Sequence, residues 1–278
     1  MKRVGILFNP KLAGVPELAA ALGNLLKAEG HDHWACVTGD EKTAQGLLGG
    51  TEVLITVGGD GTILTVARLA VPRKIPILGV NMGKLGFMTE MRGEEALDRV
   101  PGYLDDEGWI EERALLDVEV VNGGTPGAHS WALNEVVVSR RAVARLISVE
   151  ARIDGASLTT YKADGVIVAT ATGSTGYALA AGGPALHPES QELILVAAAP
   201  HISLATPLVV RPNAEIELHV IRDLDAVASL DGQIEYPLQE GEVVRVRRSE
   251  KVARFLRAEP RTYFYLALTE RLSMRNNP

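Results

Sequence analysis

The apolar run Val53–Val57 ends in Gly58-Gly59-Asp60-Gly61-Thr62, and an amphipathic stretch opens directly behind it, with Ile63, Leu64, Ala67 and Leu69 mostly on one side of a helix over Gly61–Ala70. A short run that is apolar throughout suits a strand buried on both faces, and such strands belong to parallel sheets covered by helices. The first hundred residues keep this alternation. Strands are expected over Lys2–Phe8, His33–Val37, Glu52–Val57 and Pro76–Val80, with further helices over Pro16–Ala28 and Glu94–Leu104. Pro16 suits a first helical turn and Gly30 an exit. Strands alternating with helices imply βαβ units and an open parallel α/β sheet.

The pattern changes near Trp109. Strand candidates then dominate: Leu115–Val121, Trp131–Ser139, Leu146–Ile153, Gly165–Thr170, Leu193–Ala198, Ile216–Val220 and Val243–Arg247. Turn residues such as Asn122-Gly123-Gly124 and Asp154-Gly155 punctuate them, which favours a mainly antiparallel all-β domain with one helix from near Thr175 through Ala181. The charged stretch Arg245–Glu250 is expected to end the β pattern. The apolar and aromatic residues beyond it (Phe255, Leu256, Tyr263, Phe264, Leu266, Leu268) need a core, so the chain is expected to return to the first domain. The expected organisation is an α/β domain over 1–108, completed by 251–278, and an all-β domain over 109–250.

Composition removes several classes of function. Basic residues number 28 and acidic residues 35, a net charge of −7, which counts against a general nucleic-acid binder. The single cysteine, Cys36, excludes an intramolecular disulfide framework and a multi-cysteine zinc site. No apolar run approaches the ~18–20 residues of a membrane span, and Met1–Phe8 is too short for a signal-peptide core. The six histidines show no metal-ligand spacing. A cytoplasmic protein without membrane or nucleic-acid partners is expected.

The glycine loop carries the sharpest chemical signal. In a parallel α/β sheet, ligands bind beyond the carboxyl ends of the strands. Gly58, Gly59 and Gly61 let backbone N–H groups approach phosphate oxygens, and the helix opening near Gly61 adds unsatisfied donors. Asp60 fits beside phosphate if it binds a cation or takes a proton from an attacking hydroxyl, both of them phosphotransfer roles. The alternative is a tight turn with Asp60 capping the helix.

Four further segments combine polar residues with strand ends. Tyr161-Lys162-Ala163-Asp164-Gly165 precedes a strand, and Thr170-Ala171-Thr172-Gly173-Ser174-Thr175-Gly176-Tyr177 follows it. The second is either a recognition loop with Tyr177 free to stack, or a plain strand-to-helix connection capped by Ser174 or Thr175. Its glycine spacing is not that of a hydrolase elbow, and Gly79–Lys84 is not a P-loop. Asn134-Glu135 sits inside the apolar stretch Trp131–Val138, where adjacent polar residues point to opposite faces; this marks a site, a bulge or a strand start. Asp231-Gly232-Gln233 is first a hairpin turn.

In this order, the segments resemble the NAD kinase family. Gly58-Gly59-Asp60-Gly61-Thr62 is similar to its phosphate-site loop and Asn81–Thr89 to the loop that follows. Asn134-Glu135, Asp164-Gly165, Thr172-Gly173-Ser174-Thr175 and Asp231-Gly232-Gln233 are similar to its substrate-site segments. Ala171, Gly176 and Thr65 depart from residues common at those places. The resemblance implies an N-terminal open parallel α/β domain and a C-terminal antiparallel β-sandwich domain with the active site between them. It implies a kinase that moves the terminal phosphate of ATP to the 2′-hydroxyl of the adenosine ribose of NAD, giving NADP. Asp60 would then accept the proton or organise the metal; Asp60, Gly61, Asn134 and Glu135 would bind NAD, and Asp164 would hold its nicotinamide end. Thr175, Gly176, Tyr177, Ala178, Leu179, Ala180, Ala199 and Gln233 would line the dinucleotide pocket, with Arg145 and Lys162 as basic binding positions. Mg²⁺ would arrive with ATP and need no dedicated protein cage. A homodimer or homotetramer is implied. A lipid or sphingoid kinase shares Gly-Gly-Asp-Gly, and a dinucleotide-binding sensor without turnover is the non-enzymatic alternative; the polar Asn134, Glu135 and Asp164 argue against the first, the intact loop with Asp60 against the second.

Overall fold

The structure, a computed structural model, describes residues 1–273 apart from 84–85, 106–107, 142–145, 202–204 and 223–224. The chain divides into two compact units, Met1–Glu112 with Ala253–Pro278, and Arg113–Val252.

In the first unit, parallel strands β1 (Arg3–Phe8), β2 (Asp32–Val37), β3 (Val53–Gly58) and β4 (Ile77–Asn81) lie in the order β2-β1-β3-β4, with the two-residue β5 (Met91–Arg92) on β4. Its N-terminal part carries the helices α1 (Val15–Ala28), α2 (Glu41–Leu47), α3 (Asp60–Ala70) and α4 (Ala96–Leu104). Helices α1 and α4 bury Leu22, Leu26, Val100 and Tyr103 with Val4, Ile6, Ile55, Val57, Leu78 and Val80. On the opposite face α3 comes so close that a Cβ on Gly79 would stand 2.8 Å from Ile63 Cδ1. With both faces covered, β3 is buried at every residue, which is why it is apolar without alternation. The short helix α2 has no counterpart in the sequence expectation: it buries only Ala44, so its apolar periodicity is weak, and it is held by Asp40, whose side chain accepts the Thr43 N–H at 3.2 Å.

The second unit contains β6 (Trp109–Asn122), β7 (Thr125–Ala132), β8 (Glu135–Arg140), β9 (Ile147–Ile153), β10 (Ala156–Ala163), β11 (Gly165–Ala169), β12 (Leu193–Ala198), β13 (Leu208–Val210), β14 (Ile216–Arg222), β15 (Ala226–Leu230), β16 (Ile234–Leu238) and β17 (Val243–Arg257), with the one-turn helix α5 (Tyr177–Ala180). One layer is a six-stranded antiparallel sheet in the order β13-β12-β11-β8-β15-β16; the other runs β10-β9-β14-β17, with β6 on β17 and β7 on β6. Leu116, Val118, Val136, Val138, Val168, Leu195, Leu218 and Val244 fill the space between the layers. The outer face of the six-stranded sheet is partly covered too: Ala178 of α5 packs on Ile167, Ala169, Ile194 and Val196. The unit boundaries fall a few residues beyond those drawn from the strand pattern, because β6 and β17 run through them.

Three expectations need correction. The stretch Trp131–Ser139 is two strands, β7 and β8, broken at Leu133-Asn134. The charged stretch Arg245–Glu250 does not end the β pattern; β17 continues to Arg257, its charged residues alternating with the buried Val244 and Val246. The helix expected from Thr175 through Ala181 is a 3₁₀ turn, Gly173–Thr175, followed by α5. Beyond β17 the tail is helical, α6 (Tyr263–Ser273). Within the first unit, Phe255 pairs with Ile77 of β4 and is fully buried, and Leu256 joins the core under α1 and α4. Among the described residues, no helix is long and apolar enough to cross a membrane.

Candidate active site

In the first unit, β3 delivers the glycine loop to the N-terminus of α3. Gly59 is the residue before the helix and Asp60 its first residue. A Cβ on Gly58 would collide with the Thr62 side chain, so only glycine lets the loop turn this tightly. Gly59 and Gly61 have nothing near the position of a Cβ, which leaves their backbone open to a ligand. Asp60 does not cap α3. Its Oδ2 accepts the Phe87 N–H at 2.8 Å and its Oδ1 the Met88 N–H at 3.1 Å. A Cβ on Gly86 would overlap the Asp60 carboxylate, so Gly86 is what lets the loop after β4 close over it. The same two loops are laced by Met82 N–H to Gly58 O at 3.1 Å. A carboxylate has about four acceptor positions, so Asp60 keeps capacity for a hydroxyl or a cation. Lys84 and Leu85 lie outside the described residues.

In the second unit, the break between β7 and β8 is held by Asp231. Its Oδ2 accepts the Leu133 N–H at 2.8 Å, and its Oδ1 accepts those of Asn134 at 2.7 Å and Glu135 at 3.2 Å. Three consecutive amides thus serve one carboxylate, which turns the chain and aims Asn134 and Glu135. The turn is the tip of the β15–β16 hairpin, where Asp231 and Gly232 both have positive φ, 53° and 65°. Thr170 fixes the other side: its hydroxyl donates to Leu133 O at 2.6 Å and its N–H to Asn134 O at 2.9 Å. A Cβ on Gly173 would collide with Asn134 O, so close approach requires glycine there; one on Gly176 would stand 3.3 Å from Glu135 Oε2, a tight contact. Asn134 Oδ1 and Glu135 Oε2 are buried and accept no hydrogen bond from any of the described residues. Burial, then the nearby Asp231 carboxylate, pushes the Glu135 carboxyl up from 4.5 to about 7. An open groove of about 500 Å³ begins at Glu135 and Tyr177 and runs over Val137, Ser139, Val227 and Ser229.

The remaining positions fall into separate places. Neither Ser174 nor Thr175 caps α5: their hydroxyls donate to Ala171 O at 2.6 Å and Thr172 O at 3.2 Å. Tyr177 is exposed, whereas the Ala178 side chain is spent on the core beneath α5; Leu179 is half-buried and Ala180 exposed. Gln233 is exposed and closes the hairpin through its N–H to Leu230 O at 2.9 Å. Lys162, Asp164 and Ala199 form another group, joined by Asp164 N–H to Ala198 O at 3.0 Å and His201 N–H to Lys162 O at 2.7 Å. Ala199 has φ 46°. This group lies at the opposite end of β11 from Asn134-Glu135: Gly165 pairs with Ser139 and Ala169 with Glu135. At ~3.4 Å per residue the strand separates the two groups by ~14 Å. Arg145 lies outside the described residues. Phe87, Met88 and Thr170 lie within the segments Asn81–Thr89 and Thr170–Tyr177, but no sequence pattern assigned them an individual role; they act through backbone amides and through a hydroxyl bond to Leu133 O that spans 37 residues.

Two family models match the chain in succession: the ATP-NAD kinase N-terminal domain over residues 4–107 and the ATP-NAD kinase C-terminal domain over residues 133–258. The NAD kinase of Dehalococcoides mccartyi is 39% identical over 276 residues, covering 99% of this chain and 97% of its own. That of Chloroflexus aurantiacus is 39% identical over 272 residues, covering 98% and 99%. Among solved structures, the NAD kinase of Archaeoglobus fulgidus in complex with ATP superposes with a TM-score of 0.78 at 28% identity, over 98% of this chain and 99% of that one. Yeast NADH kinase complexed with NADH shares the fold, with a TM-score of 0.82 at 22% identity over 98% and 88% of the two chains. With both halves of the chain matched in order and relatives this similar along nearly their whole length, the chain belongs to the NAD kinase family.

Proposed function

We propose a division of labour for the phosphorylation of NAD by ATP, the reaction this chain catalyses as an NAD kinase. The terminal phosphate of ATP passes to the 2′-hydroxyl of the adenosine ribose. The observation that carries the substrate side is the pair of buried, unpartnered acceptors, Asn134 Oδ1 and Glu135 Oε2. Buried acceptors without donors are costly unless a ligand supplies them, and the hydroxyl and amino groups of a nucleoside do so. Tyr177 stands exposed beside Glu135 at the mouth of the groove and offers a face for stacking. Lys162, Asp164 and Ala199 serve the dinucleotide from their own cluster. Arg145 is retained as a basic binding position.

Gly59 and Gly61 present open backbone to donor phosphate, and Asp60 orients the attacking hydroxyl and takes its proton late. Among the described residues, no three His, Cys, Asp or Glu side chains converge on one point. A lone carboxylate at the phosphate loop fits a divalent cation that is carried mainly by phosphates, with Asp60 as its protein neighbour. That cation, Mg²⁺ in this proposal, supplies charge neutralisation on the transferred group. The groove alternates Val137 and Val227 with Ser139 and Ser229, which gives an acyl chain no continuous apolar wall and leaves the lipid-kinase alternative without support. A cytoplasmic homodimer or homotetramer belongs to the same proposal and is checked by light scattering. The test is direct: purified protein with ATP, Mg²⁺ and NAD, with NADP read by an NADP-specific dehydrogenase. No NADP with any nucleotide donor would sink the reading.

A further inference from the structure

Arg257, at the end of β17, is buried inside the first unit, its side chain 7% exposed. Its Nη1 donates to Glu90 Oε2 at 2.9 Å and to Met88 O at 3.1 Å; its Nη2 donates to Glu111 Oε1 at 3.2 Å. The Glu90 and Glu111 side chains are 5% and 9% exposed. Removing three charged groups from water is expensive, and well-packed apolar residues in their place are often no less stable. Stability alone therefore explains such a cluster poorly. Its position explains it better. The carbonyl Arg257 holds belongs to Met88, and the N–H of the same residue donates to Asp60 Oδ1. One residue earlier, the Phe87 N–H donates to Asp60 Oδ2. On the far side, the Glu90 N–H donates to Gly79 O at 2.8 Å, tying the segment to β4.

We propose that Arg257 is a positioning residue for phosphoryl transfer: by clamping the Met88 carbonyl between Glu90 and Glu111, it fixes the two amides that orient Asp60. The guanidinium suits this role because its planar fork reaches two carboxylates and a carbonyl at once, which a lysine ammonium on a flexible stem does not reproduce. The clamp touches neither substrate. It rests on the reading that Asp60 is the acting carboxylate, and it extends that reading to a residue distant in sequence that no glycine-loop pattern reveals.

The test uses the full-length chain with two variants. Arg257→Lys keeps the buried positive charge but loses the fork. The triple variant Arg257→Met, Glu90→Gln, Glu111→Gln removes all three charges, so no buried charge is left unpaired. In both, kcat should fall by about 10- to 10²-fold while KM for NAD stays within about threefold, as expected for a small misplacement of a catalytic group. In an Asp60→Asn background, Arg257→Lys should change kcat by less than about twofold, because residues acting through one another are not additive. Wild-type kcat in both variants overturns the proposal. An equal loss with and without Asp60 does so too, because the effect would then not pass through Asp60. If neither variant folds, the cluster is a stability element and the proposal falls. Wild-type turnover in Asp60→Asn alone is the separate result that removes the role of Asp60 itself.

Discussion

The Asp231 carboxylate accepts the backbone N–H of Asn134 at 2.7 Å across 97 residues of chain, and the neighbouring amides of Leu133 and Glu135 converge on the same group. A hairpin tip thereby sets the direction of two side chains on another strand. Asp231 is 8% exposed, so its charge is balanced by amide dipoles rather than by water. The adjoining Glu135 carboxyl, its Oε2 buried without a donor among the described residues, is held well above the ordinary carboxylate range by burial and by the Asp231 carboxylate.

This pair predicts a pH dependence of stability. The folded-state pKa of Glu135 is raised from 4.5 to about 7, so the folded chain holds a proton that the unfolded chain has already released between those values. Stability contributed by protonated Glu135 is present below about 4.5 and is lost as pH rises toward 7. Urea denaturation across this window should show Glu135→Gln abolishing that part of the decline. Parallel curves for wild type and variant would count against it.

Asp60→Asn should leave dinucleotide binding within a few-fold and lower kcat by at least ~10²-fold, since an amide accepts no proton. Fold stability should also drop. The amide places an NH₂ group opposite the Phe87 or Met88 N–H, and losing one of these partly buried bonds costs up to ~1–3 kcal/mol. Asp60 has no helix-capping role for asparagine to take over, because Gly59 holds the cap position. Steady-state kinetics and a melting curve read both effects; turnover within threefold of wild type would remove Asp60 from the chemistry.

Lys162→Ala should raise KM for NAD with kcat largely kept. The side chain is exposed on β10, so its loss leaves the fold intact, and a point charge contributes about equally to ground and transition states. A collapsed kcat at unchanged KM would place Lys162 on the transferred phosphoryl group instead.

Truncation separates two roles of the C-terminal segment. Ending the chain after residue 250 removes the buried Phe255 and Leu256 and the Arg257 cluster, and each large apolar side chain contributes ~1.5–3 kcal/mol. The α/β unit should unfold or melt far below the full chain. Ending it after residue 260 removes α6, whose Tyr265 and Leu266 are 59% and 70% exposed, and should cost much less. Equal melting curves for the two truncations would refute the distinction.

The sequence alone determined what depends on short-range pattern. Val53–Val57 followed by Gly58-Gly59-Asp60-Gly61 dictated a buried strand feeding a helix, because a strand covered on both faces must be apolar throughout and only glycine fits beside Thr62. Asp154-Gly155 and Asp231-Gly232 dictated hairpins, since both pairs take positive φ. The order of Gly58–Thr62, Asn81–Thr89, Asn134-Glu135, Asp164-Gly165, Thr172–Thr175 and Asp231–Gln233 carried the resemblance to the family. Tertiary structure decided the rest, because it depends on partners far away in the chain. Trp131–Val138 looks like one strand until Asp231 draws three of its amides out of the ladder. Asp60 offers itself as a helix cap until Phe87 and Met88 arrive to bind it, and Arg257 carries no signal in the sequence until Glu90, Glu111 and the Met88 carbonyl surround it. Hydrogen bonds to backbone amides leave no trace in residue type at the donor, so no reading of side-chain pattern along the chain could have found them.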